Sequence, residues 1–332
     1  MNTNPQLEIY GTLGPSCCTV PILKEMFTLG MTGMRLNLSH CDLWDKSDWL
    51  NAFHTAHKEL NINADLLIDM KGPELRLKKI PKELSSLTNN TTITLTQDIV
   101  PDILIQNTNE NDYLLIDDGK IEVQVTKVNK DSLICKVIRG GVLLQCKSIA
   151  IKGKSITGNV LNESDILNLK KAIEYGVTGI MQPFVRNKED LIEIKRVLKE
   201  INAESLKIYA KVENLDGVKQ LKELIPYCDH IVIARGDLGN ATGLSKLPVV
   251  QKEIEDICKE FKMPYMVVTE MLASMVDKQV PTRAEVSDIF HAVYNGASSI
   301  MLTGETASGK YPIDAMRVFV ETAREALKVK KE

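Results

Sequence analysis

Ile231-Val232-Ile233-Ala234-Arg235-Gly236-Asp237-Leu238-Gly239 is an apolar run that stops abruptly at two charged residues. A short, continuous apolar run is the pattern of a strand buried on both faces. This one delivers charge at its tip. The same pattern recurs at Lys211 and Glu213, at Asp69 and at Arg35. Several strands that each end in a polar residue on one rim read as the mouth of an active site.

Outward from that stretch, short apolar runs alternate with longer amphipathic ones. Strands are expected at Leu7–Gly11, Gly33–Leu38, Ala64–Met70, Gly179–Gln182, Lys207–Val212, His230–Ala234, Tyr265–Val268 and Ser299–Leu302. Helices are expected over 20–29, 47–60, 163–175, 187–202, 215–226, 248–262, 283–295 and 312–329. Strict alternation of eight and eight favours an α/β fold of the closed (β/α)8 TIM-barrel type over an open doubly wound sheet. Asn162–Asp165 and Thr282–Glu285 carry capping-box starts. Residues 75–155 break the rhythm with β-rich segments and no helical pattern. Asp117-Asp118-Gly119 reads as a hairpin turn among them. The expected organisation is barrel over 1–74, a small all-β, barrel-like lid inserted after strand three over 75–155, and barrel again over 156–332. A lid there would hang over the C-terminal rim.

The chain has 332 residues, 44% of them hydrophobic, and a formal net charge of -3. That charge gives no motive for a nucleic-acid partner. Seven cysteines without a CxxC motif suit reduced thiols. The opening residues lack a basic and apolar leader, and no apolar run is long enough to span a membrane. A cytoplasmic setting is expected.

Lys211 and Glu213 are two apart, so an extended backbone turns both to one side. They read as a functional pair or as an ion pair closing the rim. Glu213 and Asp237 would suit one hard divalent ion, since magnesium needs few carboxylates and leaves room for substrate oxygens. Arg35, Asn37 and Ser39 share parity. Asp69 at the next strand end would complete an oxygen cage with Asn37 and Ser39 for a weakly hydrated cation such as potassium. Arg76 is placed to clamp a phosphate from the lid. Arg235 would bind substrate or pair with acids, and Thr269 would position a water or cap a strand. His40 is as well read as a structural histidine as a nucleotide contact. Two near matches to a P-loop, Gly141–Ser148 and Gly304–Tyr311, fail at Cys146 and Tyr311. His54 and His57 read as surface histidines. No Ser or Cys is placed with a base as a nucleophile. Such a rim is suited to holding oxyanions while a phosphoryl group moves.

These residues carry a resemblance to the pyruvate kinase family. The matching stretches run in family order: GTLGPS at Gly11–Ser16, MRLNLSH at Met34–His40, DMKGPELR at Asp69–Arg76, LIDDG at Leu115–Gly119, KVEN at Lys211–Asn214, ARGDLG at Ala234–Gly239, PTRAE at Pro281–Glu285 and MLTGET at Met301–Thr306. The resemblance implies phosphoryl transfer from phosphoenolpyruvate (PEP) to ADP. It implies catalytic roles for Lys211, Arg35 and Thr269, and phosphate or nucleotide contacts from Arg35, Arg76, His40, Gly236, Asp237 and Thr269. Mg2+ (or Mn2+) would be held by Glu213 and Asp237. K+ would be held by Asn37, Ser39, Asp69 and the carbonyl of Met70, with Glu74 marking a potassium-dependent member. The chain stops soon after the eighth barrel helix, where the family continues with a regulatory domain. A short form without that domain, and a homodimer through the barrel, are therefore expected. Glu270 stands where the family usually has Gln, Pro183 where it usually has Ser, and Met70 where it usually has Thr. The competing readings are a non-catalytic PEP- or pyruvate-binding protein and another PEP- or pyruvate-handling barrel enzyme, such as a lyase or aldolase.

Overall fold

The computed structural model describes residues 7–330 except Glu74, Asp118 and 155–157, and for His40 and Lys330 the backbone alone. Among the described residues, eight parallel strands close into one barrel. In chain order they are Glu8–Thr12, Gly33–Asn37, Asp65–Asp69, Gly179–Gln182, Lys207–Val212, His230–Ala234, Tyr265–Val268 and Ser299–Met301, here called barrel strands one to eight. Strand one pairs with strand eight, Tyr10 opposite Met301, which leaves no open edge.

Alternation sorts the side chains into two cores. Outward-facing residues such as Met34, Leu36, Leu66, Ile68, Ile231 and Ile233 pack in the large cluster under the helices. Inward-facing Tyr10, Leu67, Met181, Tyr209, Val232, Met266 and Met301 fill the barrel as a second cluster. Below them, at the N-terminal end, the Tyr10 hydroxyl lies 3.1 Å from Glu8 Oε2 and 3.2 Å from Asp65 Oδ2. Above them, at the C-terminal end, sit the polar strand tips.

The insertion after strand three has its own buried apolar cluster, from Leu77 to Ile151. It holds an antiparallel sheet in the order Ile149–Ile151, Tyr113–Ile116, Ile121–Val128, Ser132–Arg139, Thr92–Thr96, and a ribbon of Ser86–Leu87 with Gly141–Val142. The turn between Tyr113–Ile116 and Ile121–Val128 has Asp117 and Gly119 at positive φ; Asp118 lies outside the described residues. A Cβ on Gly119 would meet Asn240 Oδ1 at 2.7 Å, so this turn rests closely on the barrel.

Three expectations need correction. The insertion contains a helix, Asp102–Asn107, too short at six residues to show helical periodicity. Residues 215–226 form two short helices, Leu215–Lys219 and Leu221–Leu224, followed by a 3-10 turn. His54 is not a surface residue: it is half-buried, with Nε2 2.9 Å from the Tyr175 carbonyl and Nδ1 3.3 Å from His57 Nε2. The capping boxes at Asn162 and Thr282 form as expected. All seven cysteines are free thiols, and among the described residues no helix is long and apolar enough to cross a membrane.

Candidate active site

Asp69, at the end of strand three, is buried and accepts from two cations. Arg35 Nε and Nη2 reach its Oδ2 at 3.0 and 2.6 Å. Lys211 Nζ lies 3.1 Å from Oδ2 and 3.3 Å from Oδ1. Lys211 Nζ also lies 2.9 Å from Glu213 Oε1. Strand alternation turns Lys211 and Glu213 inward together, as the spacing requires. Glu213 Oε2 accepts the backbone N–H of Phe184 at 2.8 Å. Phe184 sits at φ 53, a conformation unusual for a bulky residue and one that aims this amide. Burial opposes charge on both groups. The Asp69 and Glu213 carboxylates nevertheless hold the Lys211 pKa above the ordinary lysine value. Lys211 and Arg35 likewise hold Asp69 below the ordinary carboxylate value. Lys211 and Asp69 each favour the charged form of the other, an ammonium beside a carboxylate.

This cluster opens into a cavity lined by Arg35, Asn37, Ser39, Asp69, Met70, Pro183, Lys211 and Asp237 from the barrel, with Arg76, Asp117, Lys147 and Ser148 from the insertion. Arg76 Nη1 donates to the Cys146 carbonyl at 2.7 Å and is thereby anchored in the insertion. A second cleft lies alongside, bounded by Phe184, Glu213, Asn214 and Asp237 below and by residues 148–154 of the insertion. Asp237 borders both. Asn37 and Ser39 reach the cavity although the strand ends at Asn37, because residues 38–40 turn as a 3-10 helix capped by Asn37 Oδ1 accepting Ser39 N–H at 3.1 Å. The His40 side chain and Glu74 lie outside the described residues.

Thr269 and Gly236 line neither opening but bond to each other. Gly236 N–H donates to Thr269 Oγ1 at 2.9 Å. Arg235 does not share a face with Asp237. Residues Arg235–Thr242 form a helix rather than continuing the strand, so two-residue parity fails there. Arg235 is buried and donates to the Thr269 carbonyl and to Asp288, which settles it as a pairing residue. Glu270 is exposed and lines neither opening. Pro183 lines the cavity with an apolar ring.

A polar hinge lies under the insertion, built from residues far apart in the sequence. Asp165 is fully buried. Its carboxylate accepts N–H from Lys71 at 2.8 Å and Gly72 at 2.9 Å on the segment entering the insertion, and from Asn162 at 3.1 Å on the segment leaving it. Burial raises its pKa despite those three donors. Gly72 has φ 58 and faces Pro183, where a Cβ would sit 2.5 Å from Cγ. Beside it, Lys71 Nζ holds Asp42 and Ser164, each at 2.7 Å. The only signal in the sequence was the N-cap pattern at Asn162–Asp165; Lys71 and Gly72 lie over 90 residues away.

Among the described residues, no three His, Cys, Asp or Glu side chains group as a metal-ion cluster. A magnesium site needs only one or two carboxylates completed by waters and phosphate oxygens. Glu213 fits that demand, because each oxygen has one donor and keeps a lone pair. For a monovalent ion, the residues Asn37, Ser39, Asp69 and Met70 border one cavity.

A sequence model described as pyruvate kinase, barrel domain, matches residues 4–316. The pyruvate kinase of Bacillus licheniformis is 33% identical over 98% of this chain and 58% of its own length. That of Clostridium perfringens is 31% identical over 95% of this chain and 69% of its own, and that of Staphylococcus saprophyticus 31% over 93% and 55%. The chain thus spans little more than half to about two thirds of the length of these relatives. The matched region takes in all eight barrel strands and the insertion, and this chain belongs to the pyruvate kinase family.

Proposed function

We propose that this chain transfers the phosphoryl group of PEP to ADP, giving pyruvate and ATP. The observation that carries the reading is Lys211, charged and half-buried between Asp69 and Glu213, in a cavity lined also by Arg35, Arg76 and Lys147. Arg35 and Arg76 would grip the phosphate of PEP. The P–O bond to the enol oxygen breaks, a P–O bond to the terminal phosphate of ADP forms, and Lys211 neutralises the charge left on the enol oxygen. The enolate then takes a proton at carbon and becomes a ketone. Thr269, whose oxygen is fixed by Gly236 N–H, would orient the water that delivers it. Glu213 and Asp237 are the residues to hold Mg2+ or Mn2+, which supplies further positive charge to the transferring oxygens. Asn37, Ser39, Asp69 and the Met70 carbonyl are those to hold K+. Membership of the family supports this typical Mg2+ and K+ dependence.

The same reading includes a cytoplasmic location and a homodimer through the barrel, the latter tested by sedimentation velocity. The activity is tested by coupling pyruvate formation to lactate dehydrogenase, with PEP, ADP and each cation omitted in turn. Turnover that requires all four supports the reading. PEP binding without turnover contradicts it and favours a binding protein.

A further inference from the structure

Strand seven ends in a strained turn. Thr269 has φ 76 and Glu270 φ 54, two successive non-glycine residues in the left-handed region. For a β-branched threonine this is an outlier. Such conformations persist only where neighbouring groups over-determine them, and they gather at functional sites. The neighbours are visible here. Arg235 Nε and Nη2 both donate to the Thr269 carbonyl, at 3.1 and 2.6 Å. Its Nη2 also lies 2.9 Å from Met271 Sδ, and its Nη1 donates to Asp288 Oδ2 at 2.5 Å. The planar guanidinium therefore ties the turn to helix Arg283–Tyr294, which carries Asp288. Thr269 is gripped at both ends: its carbonyl by Arg235, its hydroxyl oxygen by the N–H of Gly236, the next residue along. With that oxygen accepting from an amide, its own proton is directed elsewhere, and the hydroxyl is set as a donor.

We propose that Arg235, anchored by Asp288, is the positioning residue for Thr269: it holds the strained turn and so fixes the direction of the threonine hydroxyl. The proposal rests on the pyruvate kinase reading for what that hydroxyl does. Arg235 touches no substrate in this account and acts only through Thr269. A lysine would keep the charge but lose the fork that reaches the carbonyl and Asp288 together.

The test is a double-mutant cycle on the full chain. Arg235→Lys and Asp288→Asn are each made alone and in a Thr269→Ala background, and kcat and KM for PEP are measured. Asp288 is half-exposed, so its variant keeps the experiment alive if Arg235→Lys fails to fold. Each single variant is expected to lower kcat about tenfold with KM for PEP little changed, as a misaimed group does. In the Thr269→Ala background the same substitutions should change kcat less than about twofold, because the group they aim is gone. Equal losses in both backgrounds, or no loss in either, would overturn the proposal. Absence of turnover in the unmodified chain would instead refute the proposed function. Hydrogen exchange at the amides of 270–272 then decides this inference: faster exchange in both variants supports it, and unchanged exchange overturns it.

Discussion

Lys211→Met is the perturbation that isolates the charged cluster. The ammonium makes three close contacts: 2.9 Å to Glu213, and 3.1 and 3.3 Å to the two oxygens of Asp69. Breaking a buried ion pair costs ~3–5 kcal/mol when the partner charge is left bare. Neither carboxylate is left bare here. Asp69 keeps Arg35 at 2.6 Å, and Glu213 keeps the Phe184 amide at 2.8 Å. The expected loss of stability is therefore below that range, about 2 kcal/mol, and smaller than the ~5–15 kcal/mol total stability typical of a domain. The variant should fold. Turnover should fall much further. Removing one preorganised donor from a developing oxyanion costs roughly 10²–10³ in rate. A full positive charge belongs at the upper end, about 4 kcal/mol of barrel-mouth stabilisation. Urea melts and coupled pyruvate formation, run on one preparation, separate the two effects. A folded variant with turnover within about threefold of the unmodified chain would refute the role given to Lys211.

Asp165→Asn replaces an acceptor of three backbone N–H groups with an amide that offers one oxygen. At least one buried N–H then goes unsatisfied at ~1–3 kcal/mol, and hydrogen exchange should accelerate at Lys71, Gly72 and Asn162 before it does in the barrel core. His230 bears on acid stability. Burial, with Lys207 nearby, lowers its pKa from 6.5 to about 4. Between those values the unfolded chain binds a proton that the folded imidazole refuses, so stability falls as pH drops through that window and is complete above it. The full effect is about 3 kcal/mol. Urea melts of His230→Gln against the unmodified chain, from pH 7 to pH 4, should show a correspondingly shallower fall; parallel curves would contradict this. Glu270→Gln changes an exposed side chain outside both openings, so kcat and KM for PEP should stay within about twofold.

The barrel was legible because its strands are buried on both faces. His230–Ala234 and Tyr265–Val268 are buried throughout, and runs of that kind need no alternation to be seen. The pairing of Lys211 with Glu213 was legible for the opposite reason: two-residue spacing at a strand end has one geometric outcome. That logic failed at Arg235. Gly236 and Gly239 obscure any helical pattern in RGDLGNAT, yet the chain turns helical there, and Arg235 and Asp237 part company. The Phe184 amide on Glu213 and the Thr269 turn were not legible, and the Asp165 hinge showed only its contact with Asn162. Each depends on a positive φ or on backbone groups brought together across many residues, which side-chain spacing does not encode.

If Glu213, Asp237 and Lys211 converge on one metal-bound oxyanion, a crystal structure with Mn2+ and oxalate, a planar dianion resembling enolpyruvate, will show it. One anomalous peak is expected in contact with both carboxylates, with an oxalate oxygen within hydrogen-bond reach of Lys211 Nζ. A peak away from either carboxylate, or oxalate bound beyond the reach of Lys211, would contradict it.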